Sequence, residues 1–369
     1  MRKKRFWSYC LANAMSKLAP FLNVEDISAS YDGAKSVVDG VSFSLKEGEL
    51  GCLLGPSGCG KTTILRAISG FENLQAGRIS LHGRLLSGPQ RSLSPEQRNV
   101  GMVFQDHALF PHLNIAQNVA FGLHKLKPTE RQKRTADMLE LVGMSDQQSN
   151  YPHELSGGQS QRVALARAIA PQPKLLLMDE PFSNLDAELR ESLGHEVRVL
   201  IKELGITAIM VTHDQHDAFA LGDKIGVMSA GQLMQWGHSF DLYHAPANRF
   251  VANFIGDGIF LPGHMAEHDM VISNLGEIRG EPVGPSMLGR EVDLLIRPDD
   301  VIYNPQSSLR GEVVRKAFKG AQTLYTLEMR GGGHLMSLVP SHDDYEIGDI
   351  IGVSIEADHL VCFEKASSN

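Results

Sequence analysis

Gly55-Pro56-Ser57-Gly58-Cys59-Gly60-Lys61-Thr62 decides how this chain is read. Before it lies Leu50–Leu54, an apolar run suited to a buried strand. After it Thr63-Ile64-Leu65-Arg66-Ala67-Ile68-Ser69 has a helical pattern that stops at Gly70. Strand, glycine-rich turn and helix in that order make the phosphate-binding pattern G-x-x-x-x-G-K-T. Without a Cβ, Gly55, Gly58 and Gly60 let the backbone turn its N–H groups inward around phosphate oxygens, and the positive end of the next helix adds to the attraction. Lys61 is placed to reach the β- and γ-phosphates, and the Thr62 hydroxyl to sit on Mg²⁺. A glycine-rich turn that binds nothing is the competing reading, and it leaves the later motifs unexplained.

Composition narrows the rest. A chain of 369 residues has room for two or three domains with proper cores. Its 21% charged and 42% hydrophobic residues are ordinary for a soluble globular protein. The net charge of −8 argues against a nucleic-acid binder working through a broad basic surface. Cys10, Cys52, Cys59 and Cys362 lack CxxC spacing, so neither a zinc site nor a disulfide framework is expected. No apolar run reaches the length of a membrane span. Met1–Arg5 is basic, and Phe6–Ala14 with Ala12-Asn13-Ala14 imitates an export signal. An exported NTPase would meet no ATP, so residues 1–22 are read as a disordered tail, with Met1 or Met15 as the start.

Downstream, apolar runs end at polar residues suited to phosphate chemistry. Val24–Tyr31 reads as a strand, and an aromatic at Tyr31 can stack on a purine or simply cover core. The stretch Gln97–Gln105 brings an apolar strand to Gln105, whose amide can ligate a metal or orient water without carrying charge. Thr129–Asn150 has an amphipathic helical pattern, with Met138, Leu139, Leu141 and Val142 on the apolar side. Ser156-Gly157-Gly158-Gln159 precedes a strong helical run, a second place where a helix N-terminus can meet an anion. Leu175–Met178 carries Asp179, suited to holding Mg²⁺, and then Glu180, placed to polarise water for in-line attack. Ile206–Thr212 is another buried run, ending at His213, which can bond both γ-phosphate and attacking water.

In this order the motifs resemble the ATP-binding subunit of an ABC transporter, from Asn23 to about Ala245. The resemblance implies an α/β P-loop NTPase domain (residues 23–245) with an inserted helical subdomain at about 106–165. A small all-β, OB-like regulatory domain of the TOBE kind follows, at 246–369. For that domain the sequence itself offers short alternating runs at 292–301, 309–316, 322–329, 334–339 and 350–357. The resemblance assigns Glu180, His213 and Gln105 to catalysis. Thr62, Gln105 and Asp179 go to Mg²⁺. Tyr31, Gly55, Pro56, Ser57, Gly58, Cys59, Gly60, Lys61, Thr62, Thr63, Ser156, Gly157, Gly158, Gln159 and Asp186 go to ATP. It also implies a homodimer with two ATP molecules sandwiched head-to-tail, Ser156–Gln159 acting on the partner's nucleotide. Further partners are two permease subunits or one fused permease, and a periplasmic or lipid-anchored solute-binding protein; nucleic acid is not among them. The location implied is the cytoplasmic face of the inner membrane. Ser160 and Asn184 depart from common family residues at positions not expected to touch the chemistry. Tyr151–Gly158, Phe254–Phe260 and Leu294–Pro298 look most like ferric-iron importers, with polyamine, sulfate/molybdate and sugar importers as alternatives and a soluble non-transport ABC ATPase as a remoter one.

Overall fold

A computed structural model describes residues 20–30 and 36–365. The chain divides into two compact units, one ending at Trp236 and the other starting at Gly237. Among the described residues no helix is long and apolar enough to cross a membrane.

The first unit holds two sheets. One is antiparallel, ordered β2-β1-β4-β5-β6, from β1 (Leu22–Ala29), β2 (Val38–Leu45), β4 (Ala76–Leu81), β5 (Arg84–Gly88) and β6 (Arg91–Ser92). The other is ordered β11-β10-β3-β9-β8-β7, from β3 (Leu50–Leu54), β7 (Val100–Val103), β8 (Leu175–Asp179), β9 (Thr207–Thr212), β10 (Lys224–Ser229) and β11 (Gln232–Gly237). Its pairings from β10 through β3, β9 and β8 to β7 are all parallel. Strands β3, β8 and β9 are buried along their whole length, as parallel strands covered on both faces must be. Helix α1 (Lys61–Ser69) packs Ile64, Leu65 and Ile68 into one cluster with Leu22, Val24, Ile27 and Phe43 of the antiparallel sheet and Leu53, Leu177, Ile209 and Val211 of the parallel one. That burial fixes the start of α1, and so the phosphate-binding loop, against the ends of the parallel strands.

The far end of α1 is closed by a buried cation. Arg98 donates to the carbonyls of Ala67 (2.8 Å), Ile68 (2.9 Å) and Leu93 (2.8 Å), and to Ser92 Oγ (2.8 Å). The helix carbonyls left without intrahelical partners thus meet a positive group at the negative end of the dipole. Gly70 ends the helix at φ +95°, and a Cβ there would lie 2.5 Å from Arg98 Nε.

Between β7 and β8 the chain leaves the sheet for three helices, α2 (Ile115–Ala120), α3 (Pro128–Leu141) and α4 (Gly157–Ile169). The amphipathic reading of α3 holds for Met138 and Leu139, and Val142 beyond its end is also buried; Leu141 is instead 39% exposed. Position 141 lies about 200° around the helix from 139, so both cannot face the same neighbour. Asn118 is buried and organises the loop ahead of α2. Its amide donates to the carbonyls of Phe110, Leu113 and Asn114, and its Oδ1 accepts from Phe110 N at 2.8 Å.

The first unit also holds α5 (Ala187–Glu203) and α6 (Gln215–Leu221), and the second opens on α7 (Ser239–His244) and α8 (Arg249–Ile255). Strands β12 (Ile259–Glu267), β13 (Met270–Ser273), β14 (Gly276–Arg279), β15 (Glu281–Val283), β16 (Glu291–Ile296) and β22 (His359–Glu364) form one sheet, ordered β14-β13-β12-β16-β22-β15. The other sheet, ordered β17-β21-β18-β19-β20, uses β17 (Val301–Tyr303), β18 (Arg310–Phe318), β19 (Gln322–Met329), β20 (His334–Pro340) and β21 (Ile350–Ile355). Its two edges approach each other, and the buried Ser337 hydroxyl of β20 donates to the Val301 carbonyl of β17 at 2.6 Å, so the sheet nearly closes as a barrel. The run read at 292–301 is two strands, because Pro298–Asp300 forms a 3₁₀ turn between them.

Arg297 at that turn is buried and donates to the carbonyls of Ala252 (3.0 Å), Gly256 (2.7 Å), Asp257 (3.0 Å) and Tyr243 (3.3 Å), fastening α7 and α8 to the sheet. Three residues on, burial and the nearby charge of Asp299 push the Asp300 carboxyl from its ordinary 3.8 up to about 6. Its Oδ2 accepts from Arg297 N at 2.8 Å, which opposes but does not cancel the shift. A carboxyl with a raised native pKa makes the fold hold its proton more tightly than the unfolded chain, so stability falls as pH rises from about 4 through about 6. Asp300→Asn keeps an acceptor for Arg297 N and removes the charge. Urea unfolding of the full chain at pH 4 and pH 7.5 is expected to show the variant gaining about 1–3 kcal/mol relative to wild type over that interval. A gain that is the same at both pH values would refute the assignment.

Candidate functional site

The ends of β3, β8 and β9 converge on the phosphate-binding loop. In that loop Gly60 has φ +101°, and a Cβ there would meet the Val37 carbonyl oxygen at 2.8 Å. At Gly55 a Cβ would lie 2.4 Å from the Met228 carbonyl oxygen. Both positions therefore exclude any side chain, Gly60 by conformation and by space, Gly55 by space alone. Lys61 is only 5% exposed. Its ammonium donates to the carbonyls of Gly55 (2.7 Å) and Pro56 (2.9 Å) and lies 3.7 Å from Cys59 Sγ. Cys59 itself packs into the core, while Pro56, Ser57 and Gly58 keep the loop's outer side open.

Thr62 donates through Oγ1 to Asp179 Oδ1 at 3.0 Å, joining the start of α1 to the end of β8. Burial, reinforced by the neighbouring Glu180 charge, pushes the Asp179 carboxyl above its usual range, although Thr62 pulls the other way. A hydroxyl and a buried carboxylate that is costly to ionise without a counter-charge fit a hard divalent cation. Among the described residues no cluster of three His, Cys, Asp or Glu side chains is placed to hold a metal alone. A cation here would need phosphate oxygens to complete its shell.

Glu180 stands at φ +44°, an uncommon backbone for a residue with a Cβ. Its N–H donates to the Val211 carbonyl at 3.0 Å, and its own carbonyl accepts from Ser183 N and Oγ. These bonds hold the strained turn and aim the carboxylate at the adjacent strand, where Oε2 is 3.1 Å from His213 Nδ1. His213 sits on a turn fixed by Thr212, whose hydroxyl donates to Asp217 and accepts from Asp214 N at 3.0 Å.

The site residues read from sequence fall into two groups. Lys61, Thr62, Asp179, Glu180 and His213 come together with the phosphate-binding loop, and Thr63 is buried behind them. Ser156–Gln159 begin α4 as a reciprocal cap, Ser156 Oγ accepting from Gln159 N and Gln159 Oε1 accepting from Ser156 N at 2.9 Å. Their neighbours are Leu185 and Leu189: a Cβ at Gly157 would lie 3.2 Å from Leu185 Cδ2, and one at Gly158 3.1 Å from Leu189 Cδ2. Asp186 caps α5 by accepting from Leu189 N at 3.0 Å. Gln105 is exposed, and its carbonyl accepts from Asn184 Nδ2 at 3.4 Å. Tyr31 lies outside the described residues.

Sequence reading missed several groups that position these loops. Arg190 bridges Asp214 Oδ2 (2.8 Å) and the Leu185 carbonyl (3.2 Å), tying the turn after His213 to the Ser183–Asp186 loop. Its only signal in sequence is its place one helical turn after Asp186. Asn184, read as remote from the chemistry, touches the backbone of Gln105.

The ABC transporter family matches residues 38–183, and the TOBE domain family matches residues 294–363. A spermidine/putrescine import ATP-binding protein of Pseudomonas fluorescens is 44% identical, over 82% of this chain and 86% of the relative. A sulfate/thiosulfate import ATP-binding protein of Chromobacterium violaceum is 40% identical, over 86% and 87%. An Fe(3+) ions import ATP-binding protein of Haemophilus influenzae is 38% identical, over 90% and 96%. Among solved structures, cbiO1 from Clostridium perfringens, part of an ABC transporter complex, matches with TM-score 0.56 and 29% identity, over 64% of this chain and 92% of that one.

Proposed function

The chain belongs to the import ATP-binding subunits of ABC transporters, and on that footing we propose that two copies close head-to-tail over two ATP molecules to drive import of ferric iron. The observation that carries the catalytic part is the placement of Asp179, Glu180 and His213 at the ends of two adjacent parallel strands beside the phosphate-binding loop. ATP is hydrolysed to ADP and phosphate. Water attacks the γ-phosphorus in line, the Glu180 carboxylate takes up its proton, and the bond to the β-phosphate oxygen breaks as ADP leaves. His213, held by Glu180, orients that water and bonds a γ-phosphate oxygen. Thr62, Asp179 and Gln105 would hold Mg²⁺, which would supply charge neutralisation on the β- and γ-phosphates. Lys61 and the loop N–H groups bind the same oxygens. Tyr31 stacks on adenine. Ser156–Gln159 and Asp186 complete the partner copy's site.

Closure and reopening of the dimer move a permease at the cytoplasmic face of the inner membrane. The surface proposed to meet it follows Gln105: Phe110 packs on Phe121 with ring centroids 4.3 Å apart, and Phe121 is 57% exposed. The cargo does not touch this subunit, so iron rests on the resemblance of the Tyr151–Gly158, Phe254–Phe260 and Leu294–Pro298 stretches. Polyamine import is the second reading, favoured by the 44% identity to the spermidine/putrescine relative. Uptake of labelled ferric iron, spermidine and sulfate by a deletion strain, with and without the restored gene, separates them. Loss of iron uptake that the gene restores is the expected result. Unchanged iron uptake with lost spermidine uptake would reassign the cargo and leave the ATPase standing.

A further inference from the structure

The loop following Gln105 is bent through two consecutive residues in the left-handed region, His107 at φ +60° and Ala108 at φ +45°. Neither is glycine, so the turn is strained and must be held from outside. The holder is Arg167, near the far end of α4. Its Nη1 donates to the Ala108 carbonyl at 2.7 Å and its Nη2 to the His107 carbonyl at 2.8 Å. The guanidinium also lies over the Phe110 ring, 5.4 Å from the centroid. On either side of the strained pair the loop has other holds: His107 N donates to the Phe104 carbonyl at 2.9 Å, and Asn118 bonds both backbone groups of Phe110. The carbonyls of the strained pair itself are met by the two-pronged Arg167 guanidinium, which therefore bears on the turn's conformation.

We infer that Arg167 is a positioning residue that clasps the His107-Ala108 turn and thereby sets Gln105 against the nucleotide. The inference rests on the role proposed above for Gln105. Helix α4 carries Ser156-Gly157-Gly158-Gln159 at its start and Arg167 eleven residues on, about 17 Å away along a rigid rod. In the proposed dimer the start of α4 feels the partner's nucleotide, while Arg167 holds the loop that serves the chain's own. The clasp therefore links the two sites through one helix.

Steady-state ATP hydrolysis by the full chain tests this. Arg167→Ala is expected to lower kcat about tenfold while KM for ATP stays within about twofold. Adding His107→Gly and Ala108→Gly to Arg167→Ala is expected to restore kcat to within about threefold of wild type, because glycine adopts the turn without being held. Arg167→Lys, which cannot span both carbonyls with one planar fork, should fall between wild type and Arg167→Ala. A loss caused by general destabilisation would be deepened by two added glycines, so failure of the rescue overturns the inference. Wild-type kcat in Arg167→Ala and Arg167→Lys, with Gln105→Ala impaired, overturns it as well. If Gln105→Ala itself turns over like wild type, the role proposed for Gln105 falls, and the clasp with it.

Discussion

Glu180→Gln is expected to bind ATP as wild type does and to lose about 100–1,000-fold in kcat. The substitution preserves shape, so the amide still fits beside His213 and the backbone bonds to Val211 and Ser183 are untouched. Only the capacity to take a proton from water is removed. The binding groups, Lys61 and the loop, lie on a different strand-to-helix junction and do not depend on that capacity. Rapid-quench turnover and equilibrium ATP binding, measured on the same preparation, give the two readouts. A variant that hydrolyses at the wild-type rate would remove Glu180 from the reaction. One that loses binding along with turnover would make Glu180 a structural support of the strained turn, a role its φ of +44° already suggests in part.

How much of this was legible in the sequence depended on whether a residue's role is local. Gly55, Gly60, Lys61 and Thr62 act within a few residues of one another, and their spacing carried the loop. Asp179, Glu180 and His213 were legible because each ends a buried apolar run, and parallel strands bring such ends to one edge. Arg167 and Arg190 were not legible. Arg167 meets carbonyl oxygens, which every residue offers, across some sixty positions, and Arg190 pairs with a carboxylate 24 positions away that nothing local marks as its partner. The short strands β13–β15 escaped for another reason. Their exposed and buried positions hardly alternate, so nothing of period two stands out over so few residues. Ser337 shows the limit from the other side: a serine in the alternating run at 334–339 carries no local sign of a partner, yet its hydroxyl reaches the Val301 carbonyl where the sheet nearly closes.

The Lys61 ammonium raises a question that the motif alone does not. It is buried and already donates to two carbonyls of its own loop, so it can act as an internal strut, as a phosphate ligand, or as both. Two substitutions separate these. Lys61→Ala removes stem and charge together, and Lys61→Met keeps most of the stem and its packing beside Cys59 while removing the charge. If the charge serves phosphate, both variants lose ATP affinity by about 100-fold, on the order of 3 kcal/mol, and Lys61→Met retains most of the thermal stability. If the strut dominates, both lose stability because the Gly55 and Pro56 carbonyls are left without their donor, and ATP affinity falls only as far as the loop unfolds. The first outcome is expected, because a phosphate bound by a glycine-rich loop of this kind would make a buried ammonium beside it most favourable. Isothermal titration with ATP on folded Lys61→Met decides it: an affinity within about threefold of wild type, roughly 0.7 kcal/mol, would leave Lys61 as the loop's strut and nothing more.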